Sequence, residues 1–120
     1  MTLTLDTADT KALDGFDTIT HMAFGDGNST PDTGQLGLDN ELLRTILVNT
    51  DKDIVTNEYE FVGRVPITQL NSATIREVGL FDAASGGNMG GRALTPVEVT
   101  KTSDDEILIK LRVRVNTINN

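Results

Sequence analysis

Apolar and charged residues alternate most regularly near the end of the chain. Ile107, Ile109, Leu111, Val113 and Val115 fill the odd positions, while Glu106, Lys110, Arg112 and Arg114 stand at even ones and Leu108 is the exception. A period of two with β-branched enrichment predicts a half-buried strand over 107–115. Residues 94–100 alternate more weakly, with Val97 and Val99 inward and Glu98 outward. Between these runs, KTSDD (101–105) has the composition and length of a hairpin turn. Residues 75–81 show another pattern: Ile75 and Phe81 on one face, Val78 and Leu80 on the other, as in a central strand covered on both sides. The Gly-rich stretch 83–91 then reads as a hairpin loop.

Residues 59–67 alternate Tyr59, Phe61, Val65 and Ile67 on one face, and Pro66 marks an edge or a strand end. The run 43–48 is ambiguous, because Leu42, Leu43, Ile46 and Leu47 also fit a 3.6-residue period. The reading taken is a short helix over 38–43, capped by Asp39 or Asn40, leading into a strand that ends in a turn at Asp51-Lys-Asp. At the front, 7–13 reads as a short helix ended by Gly15. Residues 18–24 follow as a strand with Ile19 and Ala23 on one face, Met22 and Phe24 on the other. Thirteen residues of loop composition, 25–37, follow it, and loops that long inside a compact domain are usually functional or interface-forming. The expected fold is a single mostly-β domain over 1–120, an antiparallel sandwich or barrel-like packing with one or two short helices. Within it, 1–15 forms an arm or short helix and 16–118 the β domain.

Composition narrows the chemistry. The chain has 120 residues and no Cys, which removes thiol nucleophiles, disulfides and thiolate metal sites. A single His, His21, excludes a multi-histidine centre, and no acid or Ser at a recognisable spacing makes it a catalytic dyad. No apolar run approaches the roughly 20 residues of a membrane span. The opening residues have neither a basic start nor an apolar core, so no signal peptide is expected. Net charge is −8, which works against a phosphate-dominated nucleic-acid partner. Twelve Asp against six Glu, with four Lys, is also the composition of proteins that stay soluble in molar salt. A modestly acidic protein of ordinary salt has the same balance.

Four groups of residues could carry chemistry. Asp26, Asn28, Ser29 and Asp32 supply oxygen ligands for a hard cation, with Asp26, Asn28 and Asp32 the metal candidates. The loop lacks the EF-hand pattern, and its alternative is a structural turn. Phosphate-cradling GxGxxG and GxxxxGK[ST] patterns are absent. Arg76 and Glu77 interrupt an apolar strand, and both charges must be satisfied inside or at a packed interface, by a loop-pinning salt bridge or as a binding site. Lys110, Arg112 and Arg114 form a basic stripe that either is solvated or docks an acidic neighbour. No cofactor is implied.

Three segments, ITHMAFGDGNSTPDTGQLGLDNELLR (19–44), IREVGLFDAASGG (75–87) and GRALTPVEVTKTSDDEILIKLRVRV (91–115), contain four ordered blocks. They resemble the N-terminal module of tail-collar or tail-fibre proteins of tailed bacteriophages and related archaeal viruses. That module has a strand ending in an AxGDGxxxP loop, a helix around xNExxR, an IxEIGLFD strand and a final hairpin. The resemblance implies a virion structural protein without enzymatic activity, partnered by other tail, baseplate or fibre proteins in a homo-oligomer, most simply a trimer. It adds Asn40, Glu41 and Arg44 to Asp26, Arg76, Glu77, Lys110, Arg112 and Arg114 as structural or interface residues. In fibre proteins a long shaft usually follows, whereas this chain stops at Asn120, so an adaptor or baseplate role is expected. The Asp-rich composition fits a virus of a salt-loving archaeon. The rival expectation is a free-standing module that binds host-surface carbohydrate.

Overall fold

Residues 2–7, 18–30, 35–53 and 58–114 are described by the computed structural model. Eight strands follow in chain order: β1 (Thr2–Thr7), β2 (His21–Gly25), β3 (Glu41–Ile46) and β4 (Asn49–Asp53), then β5 (Glu58–Val65), β6 (Thr74–Phe81), β7 (Met89–Thr100) and β8 (Ile107–Arg114). They form two four-stranded sheets, ordered β1-β8-β5-β4 and β3-β2-β6-β7. The sheets pack as a sandwich, with β2 and β3 over β5 and β1 over β7. The alternation in β8 is the core signal: Ile107, Ile109, Leu111 and Val113 are buried. They meet Tyr59, Phe61 and Val65 of β5 and, from the other sheet, Met22, Phe24, Val78 and Leu80. Tyr59 and Phe61 stack with ring centroids 5.7 Å apart. β5 ends at Val65, immediately before Pro66, and Ile67 lies outside the strand and exposed.

Several expectations are corrected. The helix over 38–43 does not form; Glu41–Ile46 is the edge strand β3, paired antiparallel with β2. Its apparent helical period is two apolar pairs on opposite faces of a strand, 43 with 47 and 42 with 46, which period-two alternation already separates. Leu43 and Leu47 therefore pack against the core, and Leu42 and Ile46 face outward. Asp51-Lys-Asp is not a turn but part of β4. The arm at 1–15 contains β1, which pairs with β8 in parallel, so the sandwich is not purely antiparallel. Thr7 ends that strand, and the rest of the helix expected over 7–13 lies outside the described residues. Among the described residues helical backbone is confined to a 3-10 conformation at Thr18.

The turn at 101–105 joins strands of different sheets and is not a hairpin. Its Lys101 is buried: Nζ donates to the carbonyls of Ile67 and Thr102 at 2.8 and 2.7 Å and to Asn71 Oδ1 at 2.8 Å. These bonds hold a tight turn in which Leu70 and Ser72 adopt φ of 55° and 70°. The hairpin loop between β6 and β7 does form, but Met89 opens β7, so Gly90 and Gly91 belong to a strand. Faces also shift. The β6–β7 register jumps between Ile75 and Glu77, placing Ile75 with Val78 and Leu80 rather than with Phe81. Pro96 falls in the extra β7 residues at that jump, where a ladder donor is not required. Ile19 precedes β2 and joins Met22 and Phe24 in the core, so it does not share a face with Ala23, which packs with Phe81 and Met89 on the other side of the sheet.

Candidate functional site

β6 lies between β2 and β7, and its outer face would meet solvent if nothing lay across it. Glu77 on that face is fully buried. Its Oε1 accepts the Asp39 N–H at 2.9 Å and the Arg92 Nε–H at 2.8 Å. Its Oε2 accepts the N–H groups of Gly27 and Asn40, each at 2.8 Å. Four donors fill the capacity of an ionised carboxylate, which makes burial of this charge tolerable. Arg92, equally buried, extends the cluster: Nη1 donates to the Ser29 carbonyl at 2.8 Å and to Gln35 Oε1 at 3.4 Å. Its Nη2 meets Asp39 Oδ2 at 3.1 Å. The planar guanidinium fork thus links three stations of one loop to the sheet.

The loop after β2 can approach this carboxylate because residues 25 and 27 are glycines. A Cβ on Gly27 would collide with Asp39 and lie 2.7 Å from Glu77 Oε2; one on Gly25 would lie 2.6 Å from the same oxygen. Ser29 bonds draw the Asp39 carboxyl below the ordinary aspartate value, helped by the Arg92 charge and Gln35 against a smaller opposing effect of burial.

A second cluster sits beside the first. Arg44 of β3 grips Glu41 through Nε and Nη2, at 2.9 and 2.7 Å. Its Nη1 reaches the carbonyls of Ala83 and Gly86 in the β6–β7 loop, at 3.0 and 2.7 Å, and its guanidinium lies 3.7 Å over the Phe81 ring. The loop turns through Gly86 and Gly87 at φ of 62° and 72°, a conformation open to glycine. Asp82 closes its base by accepting the Asn88 N–H at 2.8 Å, a bond that lowers the Asp82 pKa. Leu38 bridges the clusters, packing on Ala23, Phe81 and Met89.

The structure brings Asp26, Asn40, Glu41, Arg44 and Glu77 to the outer side of one sheet. Asp26 Oδ1 accepts Asn40 Nδ2 at 2.7 Å. Of the other metal candidates Asn28 is exposed and Asp32 lies outside the described residues. No group of three His, Cys, Asp or Glu that could hold a metal ion occurs among the described residues. Arg76 departs from its expected burial: its side chain is 33% exposed, 3.3 Å from Glu98 Oε1 and 3.4 Å from the Asp26 carbonyl. The basic stripe lies on the other sheet, where Lys110, Arg112 and Arg114 are in register with Val62, Glu60 and Glu58. Arg112 pairs with Glu60 at 3.0 Å, so part of the stripe is neutralised by its own sheet. His21 is half-buried, with Nδ1 2.7 Å from Thr20 Oγ1.

Sequence reasoning missed Arg92 and Lys101. Arg92 had a signal, a lone cation between Gly91 and Ala93 in a strand pattern, the mirror of the Glu77 anomaly. Lys101 had none, because a lysine beside Thr-Ser-Asp-Asp reads as solvated turn. Chemically the assembled cluster fastens loops: its carboxylate is filled by protein donors and has no room for a substrate. No known protein family, curated protein or solved structure matched this chain.

Proposed function

We propose that this chain is a structural protein of a tailed virus, a tail-tip or baseplate component or an adaptor that joins fibres to the tail and so serves host attachment. The observation that supports this reading most is where the blocks of the resemblance meet. The GDG loop, Asn40, Glu41 and Arg44, the Glu77 strand and Arg92 come from four separated segments and bond to one another on a single sheet face. Charge is used there to fix the loop residues 26–30, 35–40 and 82–88, a pre-organised surface on which a neighbour can pack with little backbone movement. The protein acts without enzymatic activity or cofactor, as a homo-oligomer with a trimer favoured, among neighbouring tail proteins in the virion. Neither nucleic acid nor membrane insertion belongs to its role.

Carbohydrate binding is the weaker reading. Phe24, Tyr59, Phe61 and Phe81 are buried, so among the described residues no aromatic ring is presented for stacking on a sugar. Labelling of purified particles with an antibody to this chain tests the proposal. Label at one end of the tail is expected. Particles that lack the chain, or label confined to the head, would refute it.

A further inference from the structure

Glu77, Arg92 and Lys101 are the buried charged residues among those described. Glu77 and Arg92 answer each other at 2.8 Å. Lys101 meets no carboxylate among the described residues. Its three acceptors are the carbonyls of Ile67 and Thr102 and the amide oxygen Asn71 Oδ1, at 2.8, 2.7 and 2.8 Å. Those acceptors use all three N–H donors of an ammonium, so the group is held in its charged form. A charge buried without a counter-ion is costly unless dipoles replace its water. Carbonyl oxygens do this for bare monovalent ions, standing in for the hydration shell. Arg44 and Arg92 also reach loop carbonyls, but each has a carboxylate beside it, Glu41 and Glu77.

What this ammonium holds is a costly shape. Leu70 and Ser72 have φ of 55° and 70°, in the left-handed region that side chains disfavour. Little apolar burial supports the turn, since Ile67, Asn71 and Ser72 are exposed and Leu70 is half-buried. Its main chain is tied to the same lysine: the Ser72 N–H donates to the Lys101 carbonyl at 2.8 Å, and the Lys101 N–H to the Ala73 carbonyl at 2.9 Å. We infer that the oxygens of Ile67, Asn71 and Thr102 form a monovalent-cation site filled from within, the Lys101 ammonium standing where a potassium ion would sit. Ammonium and potassium are close in size. A cradle of neutral oxygens suits a single charge, whereas a divalent ion of this kind of site draws carboxylates or keeps its water. The turn thereby carries its own cation and takes none from the medium.

Lys101→Met keeps the aliphatic stem and removes the ammonium. Amide hydrogen exchange is read at Ser72 and Ala73, whose N–H groups bond to Lys101 and Leu70 carbonyls, with Leu111 of the core as reference. Variant and wild type are compared in potassium, lithium and choline chloride at one ionic strength, roughly 1 M, so that screening is equal. The ratio of variant to wild type in each salt cancels general effects of the medium. In choline chloride K101M should exchange at Ser72 and Ala73 on the order of tenfold faster than wild type, with Leu111 unchanged. Potassium chloride should recover most of that loss. Lithium chloride should recover little, because lithium holds its water. The double variant K101M/N71A, which also lacks the Asn71 oxygen, should show no potassium response; a response that survives would put the ion elsewhere and overturn the assignment. Equal exchange of K101M and wild type in choline chloride would overturn it too, since the turn would not need the ammonium. So would fast exchange that no cation corrects. If K101M does not fold, K101A, which leaves more room for the ion, repeats the comparison. Folding of either variant in potassium chloride alone supports the site, and loss of fold by both in every salt overturns it.

Discussion

Glu77 and Arg76 are neighbours in sequence and opposites in consequence. Glu77 has four protein donors and no solvent, and its removal leaves the N–H groups of Gly27, Asp39 and Asn40 and the Nε–H of buried Arg92 without their acceptor. Breaking a buried pair from one side costs about 3–5 kcal/mol, so Glu77→Ala should lose that much in urea denaturation. Arg76 meets an exposed Glu98 and one long carbonyl contact, so Arg76→Ala should stay within about 1 kcal/mol. Similar losses for both would deny the asymmetry. Asp39 gives the cluster its pH response. Its folded pKa lies below the ordinary value of 3.8, so its contribution is present above that value and disappears as pH falls through the lower folded one. Acid should therefore loosen the contacts of Asp39 with Ser29, Gln35 and Arg92 only below about pH 4. Asp82 is lowered too, so D39N should remove only part of the acid dependence, as a flatter plot of denaturation midpoint against pH.

At the scale of elements, the second cluster predicts a local effect. Arg44→Ala removes two carbonyl contacts and a cation over Phe81, so amide exchange should quicken at 83–88 while β5 and β8 keep their protection. Equal quickening in β8 would mean that Arg44 supports the core instead. Elements whose burial follows one rule along their length were legible: β8 alternates throughout, and β6, with apolar groups on both faces, was readable as central. Elements set by distant partners were not. β1 joins a sheet through a strand more than a hundred residues away, and nothing local marks parallel pairing. Leu42, Leu43, Ile46 and Leu47 mimic a helix because this edge strand carries apolar residues on both faces. KTSDD has turn chemistry, but whether a turn returns to its own sheet depends on what Lys101 meets, and its acceptors come partly from Ile67 and Asn71. The candidate site was half legible for the same reason. Glu77 was conspicuous by its place in an apolar strand, whereas three of the four donors that fill it are main-chain N–H groups, which no side-chain pattern announces.

For the whole molecule, charge is the governing property. Arg44, Arg64, Arg76, Arg92 and Arg112 are engaged in ion pairs and Lys101 is buried, while Asp51 and Asp104 stand exposed. The net −8 is thus felt mainly as surface repulsion, which salt screens. Melting temperature should rise steadily from roughly 0.1 M to 1 M monovalent salt, over which the screening length falls from about 10 to 3 Å. A flat curve would remove the salt-adapted reading and leave the fold untouched. The same repulsion would oppose close packing of copies at low salt, so assembly should follow stability in its salt response. The proposed function rests on one arrangement: loop residues 26–30, 35–40 and 82–88 held by charged side chains so that neighbouring proteins can pack on them. A cryo-EM reconstruction of the tail end at side-chain resolution addresses it most directly. Copies of this chain are expected there with residues 26–30, 35–40 and 82–88 buried against adjacent subunits and Glu77 still bound to Arg92. Copies whose two loops face open solvent, or a tail end built without this chain, would contradict it.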